Sequence, residues 1–262
     1  MEILIKKDAA EVTRLASRII AYYVKKKPDL VLGLATGRTM ESVYALLAGM
    51  HQHAGLDFSL CRTFNLDEYV GLAPTDKNSY RSYMNRHLFG KVNLDPRNTH
   101  LPDGVAADLD AECAEYEKRI RRSGGIDFQL LGIGQDGHIG FNEPLSALRS
   151  RTRPKALSPA TLAQNGPLFD APEQMPRRAL TMGVGTILES KRCVLLAVGS
   201  GKAEIIARAV EGPITAMISA SALQLHPRCT VIVDEPAAAR LQGAEYYRWI
   251  FANEPEWAEY RA

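Results

Sequence analysis

The sequence predicts an α/β fold: a doubly wound, mostly parallel sheet flanked by helices, with an inserted lid segment. Three observations carry that expectation. Strand-like and helix-like stretches alternate from one end of the chain to the other. The strand-like stretches are short continuous apolar runs, as in strands buried on both faces. Where those runs end, glycine and polar residues gather, at the position where open α/β sheets bind ligands.

Along the chain, Asp8 with Glu11 three residues later starts a helix, and Val12, Leu15, Ala16, Ile19, Ile20 and Tyr23 share one face of it. Pro28 helps to end it. Residues 30–35 read as a buried strand, 36–39 as a tight turn, 41–50 as a helix and 59–64 as the next strand. Residues 76–88 and 106–121 read as helices, and Gly124 and Gly125 close the second. A buried strand opens the stretch 126–144, IDFQLLGIGQDGHIGFNEP, broken only by Gln129. Residues 145–176 are rich in Pro, Ser, Thr, Arg and Ala with little apolar period, which predicts a functional excursion such as a lid. Alternation then resumes with strands at 179–184, 193–198 and 229–233 and helices at 202–210 and 237–241. The aromatic tail 246–251 is expected to pack on the sheet or on a neighbouring molecule.

The 262 residues are read as one domain, 1–262, with the lid at 145–176. An apolar share of 46% and a charged share of 24% suffice for an ordinary core. A net charge of +2 argues against a general nucleic-acid binder. The four cysteines are widely spaced with no C-x-x-C pair, so neither a zinc site nor a disulfide framework is expected. With no amino-terminal apolar signal and no apolar run near 18 residues, the expectation is a soluble cytoplasmic protein with no membrane partner.

The 126–144 stretch is read as an active site. Its glycines let backbone approach a ligand, and Asp136, His138 and Glu143 place three proton-handling groups within eight positions. Gly132, Gly134 and Gly137 also spell G-x-G-x-x-G, yet the acidic residue expected about twenty positions on is replaced by Arg151 and Arg153. Three further strand-end loops carry chemistry. In ATGRT, 35–39, Gly37, Arg38 and Thr39 form a phosphate cradle at a helix start, or simply a capped turn. In FNLDEY, 64–69, Asp67 and Glu68 suggest a base tuned by a neighbouring carboxylate, although acidic turns are common. In VGSGK, 198–202, Lys202 opposes a helix dipole unless an anion lies between them. His51 and His53 read as solvated, His226 as shaping a turn, and Tyr80, Tyr83 and Met84 as packing.

GLATGRT, FNLDEYVGL, LLGIGQDGHIGFNEP, SRTRPK, ALTMGVGTIL and SALQLHP together, in this order, resemble the glucosamine-6-phosphate deaminases. The related 6-phosphogluconolactonases share the Asp-Gly-His but lack the Asn-Glu-Pro that follows here. The resemblance implies conversion of glucosamine 6-phosphate and water to fructose 6-phosphate and ammonia, with no metal and no organic cofactor. It implies Asp67 as general base, His138 as ring-opening acid and base with Asp136 and Glu143 as partners, and Gly37, Arg38, Thr39 and Lys202 around the phosphate. It further implies a homo-oligomer and, at Ser146, Arg153 and Lys155 in the basic run 149–155, an allosteric site for N-acetylglucosamine 6-phosphate. That run reads equally as a solvated face. Two departures stand out: Arg38 and Met40 replace a small residue and a proline, and Pro167 stands where the lid arginine of bacterial members aligns. The expectation is that Arg38 supplies the cation lost from the lid. The alternatives are a galactosamine 6-phosphate deaminase, a lactonase-type hydrolase and a non-catalytic sugar-phosphate sensor.

Overall fold

A computed structural model describes residues 1–261. Strands are β1 (Glu2–Lys6), β2 (Val31–Leu34), β3 (Arg62–Asn65), β4 (Asp67–Tyr69), β5 (Thr99–His100), β6 (Phe128–Leu131), β7 (Arg153–Ala156), β8 (Arg178–Thr181), β9 (Cys193–Ala197) and β10 (Cys229–Asp234). Helices are α1 (Ala9–Lys26), α2 (Arg38–Ala54), α3 (Tyr80–His87), α4 (Leu109–Arg122), α5 (Pro159–Asn165), α6 (Val184–Leu188), α7 (Ala203–Val210), α8 (Glu235–Ala238) and α9 (Ala244–Asn253). Seven strands form one sheet in the order β1-β10-β9-β6-β2-β3-β5, and every pairing in it is parallel.

The chain winds from β2 outward to β3 and β5, then returns to the other side of β2 with β6 and continues to β9 and β10. The order therefore reverses between β2 and β6, where the loops at their carboxyl ends diverge and leave a crevice. Phe128, Leu130 and Leu131 of β6 are fully buried between strands and helices, as the apolar run requires. Asp8 caps α1 by accepting the N–H of Glu11 at 2.9 Å, and Val12, Leu15, Ala16, Ile19 and Ile20 are buried.

Several boundaries moved for local reasons. The third strand starts at Arg62, because Asp57 accepts the N–H of Ser59 and Cys61 N–H bonds back to Phe58 O. α3 starts at Tyr80 behind the cap Ser79, and α4 at Leu109 behind the cap Asp108. β1 was not expected from the sequence; its apolar residues lie between Glu2 and Lys6, and its register is fixed by the distant β10, with Ile3 opposite Val231.

The strand expected at 179–184 does not join the parallel sheet. As β8 it lies antiparallel between β4 and β7 in a separate three-stranded sheet. Leu66 is the joint between the sheets: its N–H bonds to Leu34 O in the main sheet, and its carbonyl accepts Met182 N–H at 2.7 Å. The expected lid is also more structured than its composition suggests. Residues 153–156 belong to the small sheet as β7, and α5 follows, capped by Ser158, whose Oγ accepts Thr161 N–H. Leu157, Phe169 and Met175 from this excursion join Tyr69 and Phe141 in a small second core.

Candidate active site

A cavity of about 740 Å³ opens at the crevice between β2 and β6. It is lined by Thr36, Gly37, Arg38 and Thr39 after β2, Leu66 and Asp67 after β3, Ile133, Gly134 and His138 after β6, and Val198 and Lys202 after β9. A smaller cavity of about 240 Å³ lies at the opposite end of β6, around Gly125, Ile126 and Arg151. No residue expected to do chemistry lines it.

The loop after β2 makes an anion cradle. Gly37 precedes α2 with φ 120° and caps the helix without a side chain, so its first N–H groups face the cavity uncapped. Tyr83 pins this turn: its hydroxyl donates to Gly37 O at 2.9 Å and accepts Gly37 N–H at 3.2 Å. Met84 is buried as expected of packing, but Tyr80 and Tyr83 line the cavity.

Asp67 and Glu68 have opposite fates, because adjacent strand residues point to opposite faces. The Glu68 carboxylate accepts the N–H groups of Tyr69, Tyr80 and Arg81 at 2.8–3.0 Å and so fastens the start of α3. Asp67 is 6% exposed, and no protein group among the described residues hydrogen-bonds its carboxylate. Burial, helped by the charge of Glu68, pushes its pKa up to about 8.

After β6 the chain turns back on itself. Gly134 N–H bonds to His138 O at 2.9 Å, and a Cβ on Gly134 would meet the His138 ring at 2.3 Å, so only glycine fits. Asp136 Oδ1 accepts His138 N–H at 3.2 Å and lies 2.6 Å from His138 Nδ1. That ring contact is close but poorly aligned, since Nδ1 makes no hydrogen bond of acceptable geometry. Glu143 Oε2 is 3.6 Å from the same nitrogen, while its Oε1 accepts the N–H of Ser158, the cap of α5. Burial raises the Asp136 pKa, but the imidazole outweighs it and holds the group down at about 2. The sequence-predicted trio is thus assembled, with both carboxylates at one edge of the ring and His138 at the cavity wall. The three ligand atoms lie within 4.8 Å of one another, a spacing a metal ion would also accept.

Lys202 enters from the start of α7. Its Nζ donates to Ile133 O at 2.7 Å, and burial lowers its pKa against the opposing pull of Asp136. The excursion 145–176 contributes Gln164, Asn165, Leu168 and Phe169 to the cavity, and Asn165 donates to Tyr69 Oη at 3.1 Å. Pro167 is not among the lining residues. Arg86, Lys77 and, beside Tyr80, a ring wall of Tyr69, Phe141 and Phe169 also line the cavity, with no signal in the sequence to mark them. Their spacing in sequence is that of ordinary surface and core residues.

Ser146 and Arg153 do meet, at 3.1 Å, and Arg153 also donates to Asn142 Oδ1 at 2.9 Å, which braces the histidine loop. Lys155 lies two residues along β7 and forms no ion pair among the described residues. His226 shapes its turn as expected, with Nδ1 accepting Arg228 N–H. All four cysteines are buried and free. Among the described residues no helix is long and apolar enough to cross a membrane.

Fold and site together define a class: a doubly wound α/β protein that sets an anion cradle beside a buried carboxylate and an imidazole. Known proteins that resemble the chain make the class particular. Residues 6–232 match the family of glucosamine-6-phosphate isomerases and 6-phosphogluconolactonases. The glucosamine-6-phosphate deaminase of Arthrobacter sp. (strain FB24) is 48% identical over 98% of this chain and 99% of its own. That of Streptomyces coelicolor is 47% identical, again over 98% and 99%. A solved structure described as a monomeric glucosamine-6-phosphate deaminase is 44% identical, with a TM-score of 0.90 over 92% of this chain and 100% of that one. A 6-phosphogluconolactonase from Trypanosoma cruzi, 21% identical at a TM-score of 0.75 over 92% and 97%, shares the fold. The chain belongs to this family, on the side of the glucosamine-6-phosphate deaminases.

Proposed function

We propose that the protein converts glucosamine 6-phosphate and water to fructose 6-phosphate and ammonia. The observation that carries this reading is Asp67, a buried carboxylate with no protein partner, in one cavity with His138, the α2 amino terminus and Lys202. The phosphate rests against the N–H groups around Arg38 and Thr39 and the Lys202 ammonium, and its binding energy orients the sugar. His138 takes the proton of the anomeric hydroxyl and returns one to the ring oxygen, which opens the ring. Asp136 and Glu143 stabilise the imidazolium that forms in between. Asp67 then removes the proton on C2 and delivers one to C1, leaving an imine at C2. Water adds there, and ammonia departs as the C2 carbonyl forms.

Ammonia release from glucosamine 6-phosphate tests the reading. A wild-type protein that releases none, yet hydrolyses 6-phosphogluconolactone, would be a lactonase. Faster turnover of galactosamine 6-phosphate would move the substrate but keep the mechanism.

Arg38 is exposed at the cavity and forms no ion pair among the described residues, which supports its exchange for the absent lid cation. Arg38→Ala should raise KM for the sugar phosphate at least ~10-fold, the scale of one charge-assisted contact. An unchanged KM rejects the exchange. We place the enzyme in the cytoplasm, in keeping with its four free thiols. For regulation through Ser146, Arg153 and Lys155, velocity curves with and without N-acetylglucosamine 6-phosphate decide, and superimposable hyperbolas remove it.

A further inference from the structure

We propose that Arg86 is a phosphate-binding residue, a cation brought to the α2 amino terminus by α3 and not by the lid. This rests on the reading of the cavity as a sugar-phosphate site. Four lysines and arginines line that cavity: Arg38, Lys77, Arg86 and Lys202. Lys77 is committed to Asp170 on the lid excursion, and Lys202 to the carbonyl of Ile133. The guanidiniums of Arg38 and Arg86 have no carboxylate within ion-pair distance among the described residues. A phosphate monoester carries close to two negative charges at neutral pH, and with Lys202 shared with a carbonyl, the two unpaired guanidiniums are the cations left to complement the α2 amino terminus.

Arg86 is placed, not loose. Its Nε donates to His87 Nε2 at 3.3 Å, and the His87 ring packs on Tyr83 with centroids 4.4 Å apart. Tyr83 in turn holds both the N–H and the carbonyl of Gly37, the cap of α2. A continuous path of contacts therefore ties the Arg86 stem to the anion cradle. Burial lowers the His87 pKa, and the nearby Arg86 and Lys91 add to that against Glu41, which favours the neutral ring that accepts from Arg86. The far end of α3 is fastened by Glu68, next to Asp67 in the chain. The cation and the base are thereby built on one rigid strand–helix unit. Nη1 and Nη2 of Arg86 make no hydrogen bond to another described residue and remain available to phosphate oxygens.

The test compares wild type, Arg86→Met, which keeps the apolar stem, and Arg86→Lys. For Arg86→Met, KM for glucosamine 6-phosphate should rise about 10-fold with kcat changed less than about 2-fold, because the contact is made equally in ground and transition states. The inhibition constant of inorganic phosphate should rise in parallel, and Arg86→Lys should recover part of both. Titration of inorganic phosphate by calorimetry into wild type and Arg86→Met gives a readout that needs no turnover. Equal phosphate affinity in the two proteins overturns the proposal and leaves the activity reading intact. A wild type that neither binds phosphate nor releases ammonia removes the reading and the proposal together. Unchanged thermal midpoints in both variants show that the effect is not one of folding.

Discussion

Asp67 and Glu68 are neighbours of the same chemical type, and a rotation of one residue along the strand separates their roles. Glu68 spends its oxygens on three backbone N–H groups. Asp67 is left unsatisfied in the cavity, a cost that functional sites carry. Its raised pKa makes two predictions. As the base proposed above it must be ionised, so kcat/KM should climb with pH to a plateau above about 8, and Asp67→Asn should lower kcat by at least ~10³. For stability the sign is set by a folded pKa above the unfolded carboxyl value near 3.9. The fold favours the neutral acid, so stability is lost as pH rises from about 4 through about 8. Removing the charge in Asp67→Asn should therefore raise Tm at pH 8 by at least ~2 °C, with the gain gone by pH 4. A variant as stable as wild type at both pH values contradicts the buried-charge account. Asp136, His138 and Glu143 invite a different check, because their spacing also suits a metal. Dialysis against a chelator should leave the rate unchanged, and a loss restored by a divalent ion would reassign the trio as ligands.

At the scale of elements, the helix of the excursion, α5, is held at both ends to the walls of the cavity. Ser158, the cap of α5, donates to Glu143, while Asn165 at the other end of the same helix donates to Tyr69 Oη. Leu162 between them and Phe169 just beyond pack on the Tyr69 and Phe141 core. That core is small and separate from the main one, so it can open without global unfolding. Phe169→Ala should accordingly raise cleavage by a protease within residues 157–176 several-fold. The global Tm should fall by less than the ~3–5 kcal/mol typical of a buried Phe→Ala would suggest. A large Tm loss with no new cleavage would mean the excursion is part of the main cooperative unit. The sequence announced the excursion through its composition but not its internal order. The apolar anchors Leu157, Leu162 and Phe169 have no period of their own, and they are ordered by residues almost a hundred positions away.

For the whole molecule, the reversal of strand order between β2 and β6 decides where chemistry happens. Four loops separated by up to about 165 residues of chain meet there only because the sheet stacks their strands in parallel. The molecule itself does not compel a homo-oligomer. Trp257 and Tyr260 of the carboxyl-terminal segment are buried on this chain, although Tyr246 and Trp249 of the expected aromatic tail are exposed. The similar solved structure is described as a monomer. Light scattering decides the expected homo-oligomer: a multiple of the 28.9 kDa mass of one chain bears it out, and the mass of one chain rejects it.

The sequence by itself determined the parallel core and the chemistry of each strand-end loop, because both depend on local rules. A strand buried on two faces must be apolar throughout, and a tight turn against an imidazole must be glycine. Tertiary structure alone decided that residues 178–181 leave the parallel sheet, that Glu68 becomes a brace while Asp67 becomes the buried acid, and that Tyr83 and Arg86 reach the cradle. Each of those outcomes depends on what a distant segment brings alongside, which no short window of residues encodes.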